Sequence, residues 1–151
     1  MHRNIVIAFA VAALASLGMV AAQQKQTGPL LEVFKTPTCG CCSKWVEHMR
    51  ASGFTVRTTD LNDLTQIKTS RGVPDRVQSC HTALVNGYVV EGHVPAADVH
   101  RLLKEKPAIA GIAVGGMPAG SPGMEFPGTK AQAYDVMSFD KAGVTRVFAK
   151  H

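Results

Sequence analysis

The sequence predicts a mixed α/β domain. Three observations carry that expectation: a compact apolar run at Leu30–Lys35, a helix-period apolar face starting at Cys42, and an Asn86-Gly87 pair between two β-rich runs. Leu30 to Lys35 (LLEVFK) reads as a buried strand, and Thr36-Pro37-Thr38 breaks it. Cys39-Gly40-Cys41-Cys42 then leads into a helix through about Ala51, with Cys42, Trp45, Val46 and Met49 at i, i+3, i+4 and i+7 on one face. Ser52-Gly53 stops the helix, and Phe54–Leu61 returns as a strand rich in β-branched residues. Strand, helix and strand in so short a span predict a βαβ unit with parallel strands.

Asp63–Arg71 reads as a weaker helix, capped by Asn62 or Asp63 and stopped by Gly72. Thr82–Val85 and Tyr88–Glu91 read as strands, and Asn-Gly between them is the strongest short-range hairpin signal. Pro95–Lys106 follows as a helix with Val99, Leu102 and Leu103 inward. The order to this point, β-α-β-α-β-β-α, is that of a thioredoxin-like core. Pro107–Lys130 is too dense in Gly and Pro to hold regular structure for long. Tyr134–Phe139 and Val144–Phe148 predict a C-terminal β-hairpin around Asp140-Lys141-Ala142-Gly143.

A chain of 151 residues, 46% hydrophobic, has the apolar material for one core without disulfide staples, so its four cysteines are free to carry chemistry. The formal charge of +5 comes from scattered Lys and Arg. With no basic run and no aromatic–basic interleaving, the pattern argues against a nucleic-acid partner. His2 and Arg3 precede an uncharged stretch from Ile5 to Ala22, and Val20-Ala21-Ala22 before Gln23 suits signal-peptidase cleavage after Ala22. A retained N-terminal anchor is the competing reading. The expected organisation is a signal peptide at 1–22, a disordered lead at 23–29 and a thioredoxin-like metal-binding domain at 30–151. An exported, periplasmic protein with no membrane span after cleavage follows.

Cys39 and Cys42 form a C-x-x-C at a strand-to-helix junction. Unpaired backbone N–H groups and the helix dipole favour a thiolate there, the arrangement of a redox dithiol. Cys41 inside the motif and Cys80 before the third strand complicate that reading. In a thioredoxin-like fold the loop entering that strand packs against the C-x-x-C, so the four sulfurs would converge. Alternative disulfides would then compete, whereas four thiolates suit Cu(I), Zn(II) or iron–sulfur, and adjacent Cys41 and Cys42 can bridge several Cu(I) ions. Two plain disulfides, Cys39–Cys42 with Cys41–Cys80, remain the alternative for an exported protein. His81 and His93 stand beside these positions as candidate nitrogen ligands. Met117 and Met124 lie in the Gly/Pro stretch without a helical face to fill, and thioethers near thiolates favour copper over zinc.

Four motifs in order make the sequence similar to the CopG-type copper-resistance proteins, a bacterial family long described as a domain of unknown function. They are Cys39-Gly40-Cys41-Cys42, Ser79-Cys80-His81-Thr82-Ala83, Tyr88 through Pro95 (YVVEGHVP), and Gly116-Met117-Pro118 with Gly120 through Glu125 (GSPGME). The resemblance spans Leu30 to His151. It implies a periplasmic thioredoxin-like domain with a cysteine-bridged, multinuclear Cu(I) site, a role in copper tolerance, and copper-efflux or other periplasmic copper proteins as partners. By that analogy the four cysteines are copper ligands, with His81, His93, Met117 and Met124 in or near the site. Sequestration, relay and copper redox cycling all fit such a site, and so does the alternative of a thiol–disulfide oxidoreductase using Cys39 and Cys42.

Overall fold

The computed structural model describes residues 27–151. The expected signal peptide, and most of the expected lead, lie outside them. Seven strands form one sheet in the order β2-β1-β3-β4-β5-β6-β7. The chain runs β1 (Leu30–Lys35), α1 (Gly40–Ala51), β2 (Thr55–Asp60), α2 (Thr65–Ser70), a 3₁₀ turn at Asp75–Val77, β3 (His81–Val85), β4 (Tyr88–Glu91) and α3 (Ala96–Glu105). Three further strands, β5 (Gly111–Ala113), β6 (Asp135–Phe139) and β7 (Thr145–Lys150), complete it. β1 pairs parallel with β2, as the βαβ pattern requires, and antiparallel with β3.

The alternation of side chains along the strands divides the core in two. Leu31, Val33, Ala83, Val85, Val90, Ile112 and Val136 face α1 and α3, where Trp45, Val46, Met49, Val99 and Leu102 meet them. Val89, Ala113 and Phe139 face the other way and are covered by Val73 and Val77, from the segment around the 3₁₀ turn.

Local chemistry explains the boundaries. Helix α1 ends in a Schellman motif, with Gly53 N–H donating to Arg50 O, Phe54 N–H donating to Met49 O, and Gly53 at φ 93°. The β3–β4 hairpin turns on Asn86 and Gly87, both at positive φ, which is the type I′ geometry that Asn-Gly prefers. The N-cap of α2 is Leu64, one residue past the expected Asn62 or Asp63, because Asp63 instead closes a local turn by accepting from the Thr65 N–H at 2.9 Å.

Strand β5 sits inside the segment that the Gly/Pro density marked as irregular. It pairs parallel with β4 and antiparallel with β6, and so welds the C-terminal hairpin onto the main sheet. Gly111 makes this possible. A Cβ there would come within 2.3 Å of Val89 O and 2.7 Å of Phe139 Cζ. Gly111→Ala is expected to destabilise the metal-free protein by about 2 kcal/mol, the range typical of overpacking, read as a lower denaturant midpoint.

Candidate metal centre

The site forms where three segments meet: the N-terminus of α1, the turn entering β3, and the loop leaving β4. Cys39 is the N-cap of α1, and its Sγ accepts from the Cys42 N–H at 3.3 Å. The donor-rich helix end thus faces sulfur, as the C-x-x-C spacing predicts. Cys39 and Cys42 are joined in a disulfide, while Cys41 and Cys80 are free thiols. Cys41 Sγ lies 3.6 Å from Cys39 Sγ, and Cys80 Sγ lies 3.4 Å from Cys42 Sγ. Each free thiol is therefore beside one sulfur of the disulfide. The disulfide alternative holds for Cys39–Cys42, and its partner bridge, Cys41–Cys80, is absent.

Two imidazoles close the other side. Cys80 Sγ is 3.0 Å from His93 Nε2 and 3.4 Å from His81 Nδ1. The His93 Nδ1 lies 2.8 Å from the Pro122 carbonyl, which only accepts, so the proton belongs on Nδ1 and the Nε2 lone pair points at the thiol. His81 is fully buried, its ring packs against Trp45 with centroids 4.4 Å apart, and its Nε2 has no hydrogen-bond partner. Two overlapping sets of converging donors result: Cys39, Cys41, Cys42 and Cys80, and then Cys80, His81 and His93. Cys80 is common to both.

Burial sets the protonation states. It pushes the Cys80 thiol up to about 12, with the nearby Cys41 adding to the rise. His81 is held well below the usual histidine range by burial first, then by His93 and Lys68. Burial lowers His93 as well. Both rings are thus neutral imidazoles at neutral pH, whereas Cys80 keeps its proton until a cation displaces it.

Met124 belongs to a tight turn in which its N–H donates to Ser121 O and Gly120 N–H donates to Met124 O. That turn presses Gly123 onto α1: a Cβ on Gly123 would lie 2.7 Å from Cys41 O and 2.9 Å from Trp45 N. Met117 is 52% exposed and follows Gly116, whose carbonyl accepts from the Ser79 hydroxyl. Both methionines therefore flank the cysteine turns through their backbone neighbours.

Several contributors had no signal in the sequence. The Pro122 carbonyl orients His93 through the backbone, which residue type does not encode. Gly92 is needed because a Cβ would meet Ser79 Cβ and Val114 O at 2.5 Å. Trp45, on the expected apolar face of α1, is buried beneath the thiols, with its Nε1 donating to Val94 O at 2.8 Å. His48 of α1 is half-buried, and its Nε2 accepts from the Ala96 N–H at the start of α3.

A family model described as "Protein of unknown function, DUF411" matches residues 77–124, the stretch holding Cys80, both histidines and both loop methionines. No curated protein matches the chain. Among solved structures, "Copper resistance protein copG- Form 2" is 41% identical with a TM-score of 0.78, covering 82% of this chain and 98% of its own. "Copper resistance protein copG- Form 1" is 42% identical with a TM-score of 0.76, covering 81% of this chain and 96% of its own. Identity at that level over nearly the whole of both solved chains places this protein in the family of copper resistance protein CopG.

Proposed function

We propose that the protein is a periplasmic copper carrier of copper resistance, holding Cu(I) in a cysteine-bridged, multinuclear site as cargo for other periplasmic copper proteins. The observation that carries this reading is the convergence of four sulfurs and two imidazoles on donor sets sharing Cys80. Soft thiolates select Cu(I), and neutral imidazole nitrogens suit copper as well. The two similar solved structures, each named a copper resistance protein, support it.

In this reading, two-electron reduction of the Cys39–Cys42 disulfide by an external dithiol, which is itself oxidised to a disulfide, supplies two of the four thiols. Cys80 surrenders its proton on binding, His93 offers Nε2, and Met117 and Met124 supply thioethers from the loop side. The sheet order β2-β1-β3-β4, with β3 antiparallel to both neighbours, supports a thioredoxin-like core as the scaffold. Residues 1–22 act as a cleaved signal that delivers residues 30–151 to the periplasm.

The test is anaerobic Cu(I) loading of the reduced chain from Gln23, with copper counted after desalting. More than one copper per chain is expected, and either Cys41→Ser or Cys80→Ser should abolish the multinuclear loading. Failure to retain any copper overturns the reading. Gly123→Ala, which drives a Cβ into α1 at φ 88°, should displace the Pro122 carbonyl from His93 and lower copper affinity by about tenfold, as loss of an outer partner does.

A second reading follows from the closed Cys39–Cys42 disulfide, whose Cys39 is half-exposed. As an oxidoreductase, the reduced protein would attack a substrate disulfide with the Cys39 thiolate and release the leaving thiol. Cys42 would then attack Cys39, close the disulfide and free the second thiol. Insulin-reductase activity that survives Cys41→Ser, in a protein that holds no copper, would select this reading.

A further inference from the structure

On the sheet face away from α1, beneath the metal centre, lies a buried charged group. Lys68 of α2 is 6% exposed and Glu91 of β4 is 0% exposed. The Lys68 ammonium bonds Glu91 Oε1 and lies 3.0 Å from Thr82 Oγ1. Thr82 Oγ1 donates to Glu91 Oε2 at 2.6 Å. A buried ion pair is a weak source of stability, because desolvation offsets the attraction, and apolar residues of similar size would fill the space as well. Its neighbours on this face, Val73, Val77 and Val89, do fill it that way.

Glu91 also does something an apolar residue could not. Its Oε1 accepts the Ser79 N–H at 2.7 Å. Ser79 is the residue before Cys80, and it packs on Gly92, the residue before His93. The carboxylate therefore fixes the turn that aims Cys80 Sγ at Cys42 on one side and His93 on the other.

We propose that Glu91, held in place by Lys68 and Thr82, is the positioning residue of the metal centre, acting on Cys80 through the Ser79 N–H. Its effect on copper rests on the copper reading above; its effect on the placement of Cys80 does not.

Two double variants isolate the interaction. Lys68→Met with Glu91→Gln keeps an amide oxygen to accept the Ser79 N–H, and Lys68→Met with Glu91→Leu removes the acceptor. Neither leaves a buried charge unpaired. In a Cys41→Ser background with the disulfide closed, Cys80 is the one free thiol among the described residues, so its alkylation by iodoacetamide reports its placement without any metal. Alkylation should quicken several-fold in the Leu variant and stay near the parent rate in the Gln variant. With Cys41 present, Cu(I) affinity should fall by about tenfold in the Leu variant alone, while the metal-free unfolding midpoints of the two variants agree. Equal alkylation rates and equal affinities in two folded variants would overturn the proposal. Hydrogen exchange of the Ser79 amide in the parent is the second measurement: protection matching β3 is expected, and free exchange overturns the proposal even if the Leu variant does not fold. A parent that binds no copper would sink the copper reading, and the alkylation and exchange results would still decide the role of Glu91.

Discussion

Everything distinctive about the site depends on one close approach, between the turn that enters β3 and the first turn of α1. Cys80 and Cys42 are far apart in sequence, yet their sulfurs lie 3.4 Å from each other. The approach is possible because parallel pairing of β1 and β2 places α1 across the sheet, and antiparallel pairing of β1 with β3 brings Lys35 opposite His81. The end of β1 and the start of β3 are thus neighbours, so the residues just outside them, Cys39 to Cys42 and Cys80, are neighbours too. Glycine at position 92 lets the loop after β4 join them without a steric clash. Chemistry that needs several soft donors at one point is supplied by topology, with each segment contributing one turn.

The sulfurs serve two arrangements that exclude each other. While Cys39 and Cys42 share a covalent bond, they have no thiolate charge to give a metal, and only Cys41 and Cys80 retain protons to lose. Opening that bond converts a redox-closed turn into a four-thiol cradle. Under the proposed copper reading, loading and the oxidation state of the dithiol are therefore coupled through the same atoms. The buried imidazoles of His81 and His93 keep an unprotonated ring nitrogen in both arrangements, since burial lowers the pKa of each.

Much of this was legible in the residues. Strand β1 has the expected bounds, α1 buries the four residues its period selected, and the Asn-Gly turn sits where a hairpin needs positive φ. The C-x-x-C reads as sitting at a strand-to-helix junction, and Cys39 is the N-cap there. Long-range packing was harder to see. Gly111 reads as a breaker, whereas it serves as a gap that admits the Val89 carbonyl and the Phe139 ring, so β5 hid within a Gly-rich stretch. Lys68 lies within the expected weak helix, and only the fold shows it turned inward onto Glu91. Pro122 acts through its carbonyl, which every residue possesses, so no pattern of side chains announces it.

Trp45 is the single tryptophan of the chain, and it forms the floor of the site against His81. Its indole is pinned by the bond to Val94 O, so the ring has little freedom to reorient. Indole emission from this protein therefore originates at one place, within contact range of His81. Thiolates and copper both quench excited indole at such range. The molecule thus carries an optical gauge of its own site, one that reads a change in the state of the neighbouring sulfurs in the unlabelled chain.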